Sequence, residues 1–198
     1  MKKNLLLTSR IKAFESIVSS AECKGEAGEI ISIEDGIQTI NEQLIKSREN
    51  NLSVYVVGNG GSAGVASHVV NDFVNIGKLK AYSFHDISLL TCMANDYGYK
   101  HVYSEPLRTM IKSDDILIAI SSSGESENIL NAADIAKKNG AYVITFSGFK
   151  PDNCLREKGD INIYLSSDDY GFVEYGHAFI LHNITDRFMW ENVWIRKS

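Results

Sequence analysis

The chain opens on helical spacing. Leu7, Ile11, Phe14 and Val18 recur at i, i+4, i+7 and i+11, and Ile33, Ile37, Ile40 and Leu44 repeat the pattern. Two amphipathic helices are therefore expected before the first strand. Between them, residues 23–29 carry Gly25 and Gly28 and read as a break. From Leu52 the period changes. Short β-rich runs at 53–57, 81–84, 116–120, 142–146 and 161–165 alternate with helical patterns over 63–76, 87–95, 102–110, 126–138 and 173–190. Near-continuous apolar strands alternating with helices predict an α/β fold with a parallel sheet covered on both faces. Ligands of such sheets gather outside the carboxyl ends of the strands, at a switch point. The stripes of the two leading helices need cover, from their own domain or from another subunit.

Composition narrows this picture. A chain of 198 residues suffices for one α/β domain with extra helices, and two prolines with no Gly/Ser tract leave no long linker. Cys23, Cys92 and Cys154 are few, odd in number and far apart, which fits a reducing compartment rather than a disulfide framework. The start, Met1 to Leu7, imitates a signal peptide for three apolar residues only, and no later run has the length of a membrane span. A cytoplasmic protein with no membrane partner is expected. The net charge of −5 offers no basic footprint for nucleic acid. An anionic ligand remains admissible where loop amides and helix N-termini supply positive potential locally.

Two loops after strands carry the chemistry. Gly58-Asn59-Gly60-Gly61-Ser62-Ala63 follows the first strand; its glycines let a ligand approach the backbone, and three in four residues exceed the needs of a tight turn. Gly58-x-Gly60-x-x-Ala63 also matches a dinucleotide fingerprint, with Asp86 as the acidic partner that pattern requires. The second loop decides between them. Ser121-Ser122-Ser123-Gly124-Glu125-Ser126 follows the third strand and leads into a helix. Four hydroxyls at a helix N-terminus form a compact donor set for a phosphate. A site gripping a phosphorylated sugar has use for two such loops; a dinucleotide fold has none.

These loops, with His68, Ala94-Asn95-Asp96-Tyr97-Gly98-Tyr99 and residues 166–169, resemble the SIS (sugar isomerase) family, most closely its phosphoheptose isomerase branch, from about Ile37 to Phe188. The resemblance implies a flavodoxin-like three-layer sandwich assembled as a homotetramer with shared active sites. It places residues 37–198 in the SIS domain and 1–36 in an N-terminal helical extension. It implies conversion of sedoheptulose 7-phosphate to D-glycero-D-manno-heptose 7-phosphate for lipopolysaccharide or capsule synthesis, and a non-catalytic phosphosugar- or protein-binding module as the alternative.

It further implies a phosphate held by Ser121, Ser122, Ser123 and Ser126, with Asn59, Gly60 and Ser62 near the sugar and Asp96 and Asp169 organising its hydroxyls. Zinc, or a polar cluster, is implied at His68, Asp72, Glu174 and His182, with Glu174 also lining the substrate site. Asp72 is implied as base and His182 as acid of an enediol mechanism; His177 lies off that set. His68 and Asp72, at i and i+4, share one helical face. Glu174 and His182 are eight residues apart, about 12 Å of helix rise, so joint ligation requires a frayed helix start or long reaching side chains. The chain also departs from the family. Asp72 replaces Glu and Glu174 replaces Gln. Ile76, Glu105 and Phe172 stand at customary arginine positions, which bears on the choice of sugar.

Overall fold

A computed structural model describes residues 5–195, with side chains up to Phe188; residues 1–4, the start of the signal-like stretch, lie outside that range. Helices α1 (Leu7–Ser19) and α2 (Ile33–Glu49) occur where their stripes place them. The Ser32 hydroxyl accepts from the Asp35 amide and caps α2. The alternating region gives β3 (Ser53–Gly58), α3 (Gly61–Asn75), β4 (Lys80–Tyr82), α4 (Ile87–Tyr97), α5 (Ser104–Met110), β5 (Ile116–Ser121), α6 (Glu127–Lys138), β6 (Tyr142–Gly148), β7 (Ile161–Leu165) and α7 (Tyr170–Ile195).

The segment between α1 and α2 is more than a break. Residues Glu22–Lys24 form β1 and Ile30–Ile31 form β2, an antiparallel pair whose first strand lies antiparallel to β7. The expectation of a parallel sheet is corrected here: the sheet is mixed, in the order β2-β1-β7-β6-β5-β3-β4, with β3 to β7 mutually parallel. The hairpin covers an edge that β7 would otherwise leave open, and antiparallel pairing needs no crossover helix to do so. Without the hairpin, the parallel strands run in the flavodoxin order 2-1-3-4-5.

Both sheet faces are covered. Val54, Val56, Ile116, Ile118, Ile144 and Phe146 pack towards α2, α3 and α7, through Ile40, Phe73 and Ile184 among others. Their sequence neighbours Tyr55, Val57, Leu117, Ala119 and Val143 pack towards α5 and α6, through Leu107 and Ala132. Burial of alternate residues on opposite faces explains why these strands read as unbroken apolar runs. Helices α1 and α4 contribute no buried residue to either core.

Candidate active site

Strands β3 and β5 are neighbours in register, with Gly58 opposite Ile120. From this pair the chain builds outward both ways, so α3 covers one face and α6 the other. The loops after β3 and β5 therefore part, and the crevice between them is the switch point. A cavity of about 240 Å³ occupies it, lined by Asn59, Gly60, Gly61 and Ser62 of the first loop, Ser121, Ser122, Ser123 and Ser126 of the second, and Tyr170 and Glu174 of α7. Seven of the residues expected around the substrate thus meet here, with Glu174 beside them.

Backbone geometry shapes this cavity. Gly60 has φ +54°, a region side chains avoid. A Cβ on Gly61 would strike the carboxylate of Glu174, so glycine lets α7 approach the start of α3. Neither α3 nor α6 has a side-chain cap at its N-terminus, which leaves amide donors and the positive end of each helix dipole for an anion. Ser126 Oγ instead receives a bond from Ser121 Oγ at 3.4 Å, and Ser121 Oγ accepts from the Gly124 amide at 3.2 Å. Ser122 Oγ is buried with no hydrogen-bond partner among the described residues. Among the described residues no lysine or arginine lines the cavity, so the positive potential they give it comes from helix ends and amides.

A second cluster lies on the same two helices. Asp72 Oδ2 stands 3.4 Å from His68 Nε2 and 3.3 Å from His182 Nδ1, and the two imidazoles are 6.0 Å apart, centroid to centroid. One ligand atom from each residue falls within 4.8 Å of the others, so the three could hold a metal ion. Oxygen and nitrogen ligands at about 2.0–2.1 Å around tetrahedral zinc stand roughly 3.3 Å from one another, close to both measured separations. Two imidazoles and a carboxylate are a donor set chemically suited to a divalent metal ion. Both imidazoles border a groove of about 660 Å³ between α1 and α7, walled by Leu7, Ile11, Phe14, Phe172 and Phe179.

Glu174 is not part of that cluster. It lies within regular helix α7, where eight residues, about 12 Å of rise, separate it from His182. Asp96 is also elsewhere: its carboxylate receives bonds from Cys92 Sγ and Asn95 Nδ2, in a shallow depression on α4. Asp169 caps α7 through the amides of Gly171 and Phe172 and pairs with Arg10 at 3.2 Å; it does not line the cavity. Asp86, the acidic residue of the dinucleotide pattern, caps α4, and the 2-1-3-4-5 order is not that of a dinucleotide fold.

A family model described as the SIS domain matches residues 29–148. The phosphoheptose isomerase of Campylobacter concisus is 32% identical over 162 residues, covering 79% of this chain and 85% of that protein. That of Thermodesulfovibrio yellowstonii is 34% identical over 152 residues, 74% and 75% of the two chains. The chain belongs to the SIS family, in its phosphoheptose isomerase branch. In fold, it superposes on the structure of a phosphoheptose isomerase from Francisella tularensis with a TM-score of 0.80 at 24% identity, covering 92% of this chain and 95% of that one.

Within this phosphoheptose isomerase frame, the three missing arginines have identifiable surroundings. Ile76 ends α3, and Glu105 receives a bond from Arg108 at 3.1 Å. Phe172 lies under the guanidinium of Arg10, 4.1 Å from ring centroid to Cζ, so a cation from α1 occupies the neighbourhood of that position. Residues the sequence did not single out also matter here. Tyr170 lines the cavity and meets Phe149 edge to face at 4.7 Å, and Tyr103 donates to the Gly58 carbonyl at 2.6 Å.

Proposed function

We propose that this chain interconverts sedoheptulose 7-phosphate and D-glycero-D-manno-heptose 7-phosphate, seating the phosphate among Ser121, Ser122, Ser123 and Ser126. Asp72 and His182 exchange the protons. One observation carries the reading: an anion cradle and an acid–base cluster share α3 and α7 but sit apart along them. Ser62 and His68 are six residues apart on α3, about 9 Å of rise. A ketose phosphorylated at C7 and reacting at C1 and C2 needs its phosphate and its reacting carbons at opposite ends of the site.

The ketose loses a proton from C1 to a base while O2 gains one, giving the enediol; a proton then returns to C2 and O1–H is lost, giving the aldose. Asp72 directs Oδ2 at both imidazoles, leaving Oδ1 to take the C1 proton. His182 stands within 3.3 Å of Asp72 and serves the oxygens. His68, Asp72 and His182 would hold zinc, which when bound supplies a Lewis acid for the carbonyl. Asn59 and Ser62 bind the sugar beside Gly60, and Glu174 borders them.

The assembly we infer is a homotetramer. Helix α1 leaves Leu7 and Ile11 exposed, α4 leaves Ile87 and Tyr97 exposed, and α7 leaves Tyr175 and Phe179 exposed. Apolar faces on separate sides of one chain suit a dihedral assembly, in which Asp96 reaches a cavity from a neighbouring copy. Work in the cytoplasm fits the free cysteines, and among the described residues no helix is long and apolar enough to cross a membrane.

A mass-resolved isomerisation assay with sedoheptulose 7-phosphate, on wild type and His182→Ala with and without zinc, tests the reading. Turnover that collapses in the variant supports it. Folded, zinc-loaded wild type that leaves the ketose unchanged overturns it. Sedimentation of wild type and Phe179→Asp tests the assembly, the variant being expected to dissociate.

A further inference from the structure

A reciprocal pair of side-chain hydrogen bonds ties the first loop of the cavity to the helix that follows the second. Asn59 Nδ2 donates to Asn128 Oδ1 at 2.8 Å, and Asn128 Nδ2 donates to Asn59 Oδ1 at 2.8 Å. Asn59 belongs to the loop after β3; Asn128 is the second residue of α6, behind the serine loop after β5. The amides thus close a ring of two reciprocal bonds across the switch point, between residues 69 apart in sequence. Tyr99 Oη donates to the same Asn59 oxygen at 3.3 Å. Asn128 is only 3% exposed, and it does not line the cavity.

Counting bonds shows what this does to Asn59. An amide has two acceptor sites on oxygen and two N–H donors. Asn128 and Tyr99 take both acceptor sites, and Asn128 takes one donor. One N–H is left for a ligand. We propose that Asn128 is a positioning residue of this site: its amide clamps Asn59, fixes the first loop against the serine loop, and makes Asn59 a single donor towards substrate oxygen. The ladder between the two strands ends at Gly58 and Ile120, and beyond it the reciprocal amide pair links the first loop directly to the start of α6. Such reciprocal bonds, made to the buried amide of Asn128, are costly to break singly, because each leaves a polar group unpaired.

The proposal rests on the isomerase reading for its kinetic consequence but not for its structural one, and the test separates them. In Asn128→Ala, hydrogen exchange of a peptide covering residues 58–63 should rise roughly tenfold, with the melting temperature lowered by about 2–8 °C. Turnover of sedoheptulose 7-phosphate should fall at least about tenfold in kcat with KM within about threefold, since the serines that hold phosphate are untouched.

Asn128→Asp supplies the signature. Its carboxylate offers Asn59 two acceptors and no donor, whereas its carboxylic acid offers one of each, as the amide does. Burial favours the protonated acid. The activity of Asn128→Asp relative to wild type should therefore climb as the pH falls from 8 to 6, a ratio in which ionisations common to both proteins cancel. Unchanged exchange at 58–63, or a ratio flat with pH in an active enzyme, overturns the clamp. If wild type does not turn the sugar over, the isomerase reading falls and exchange alone decides; should Asn128→Ala fail to fold, Asn128→Asp measured for exchange at pH 8 takes its place.

Discussion

His177, fully buried on α7, donates from Nε2 to the carbonyl of Ser147 at 3.1 Å, while its Nδ1 is buried with no partner among the described residues. A charged imidazole there would have a proton with nothing to accept it. Burial pushes its pKa down from 6.5 to about 4. The unfolded chain therefore takes up a proton near pH 6.5 that the native state refuses until about pH 4. Stability is full above that upper value and is lost as the pH falls through the window, by about 3 kcal/mol in all. Urea midpoints should decline from pH 7 to 5. His177→Gln, which keeps a donor for Ser147, should flatten that decline; His85, also depressed by burial, should leave a residual slope. An unchanged slope in the variant would sink the account.

Gly61 should tolerate a methyl group structurally but not functionally. In Gly61→Ala the new Cβ displaces the flexible end of Glu174, while alanine suits the first turn of α3 better than glycine. The melting temperature should hold or rise slightly. Initial rates with saturating sugar phosphate should drop about tenfold, the scale of one misplaced polar group at a site. Wild-type rates in the variant would mean that the position of Glu174 is immaterial.

Asp72 places one carboxylate oxygen within 3.4 Å of both imidazoles of the cluster. Added zinc should raise the melting temperature of wild type, by about 2.7 kcal/mol of stabilisation at a hundredfold excess over Kd. Asp72→Ala should abolish most of this response, and Glu174→Ala should leave it nearly intact, because Glu174 stands apart from the cluster. A zinc response lost on changing Glu174 would contradict the separation along α7.

Arg10 ties α1 to α7 twice, through Asp169 and over the ring of Phe172. A cation stacked on a partly exposed ring contributes about 0.5–1 kcal/mol. A double-mutant cycle of Arg10→Ala with Phe172→Leu should return coupling on that order in chemical denaturation. Since α1 has no fully buried residue and Arg10 adds to the packing of Phe14, Ile17 and Val18, limited proteolysis should also cut Arg10→Ala earlier within its first twenty residues. Zero coupling would reduce the stack to a bystander.

Strands β3, β5, β6 and β7 were legible because each is buried on two faces, and helices α2, α3 and α6 because each buries one. Pattern alone could not reveal the β1–β2 hairpin. Its strands are three and two residues long, and the glycines between them carry the same signal as a break between helices. Cys23 is fully buried in that hairpin, with one apolar residue too few around it to advertise a strand. The serine loop and the glycine loop were legible for a different reason: hydroxyls and glycines are local requirements of a ligand. Asp169 shows where such a signal is ambiguous: it caps α7, and capping a helix and binding a sugar ask for the same side chain. Asn128 escaped notice since its partner lies on another strand's loop, a relation no spacing along the chain encodes.

The two rims of the sheet bear on which modes of self-association are open to this protein. One rim is β4, three residues with Lys80 and Tyr82 exposed, and the other is β2, two residues long. Neither presents enough free backbone to recruit a further strand from a neighbour. A seven-stranded sheet of this kind is a finished surface, closed to growth by strand addition. Self-association is thereby steered away from fibre-like pairing and onto side chains of the outer helices, where geometry can bring it to a halt at a fixed number of subunits.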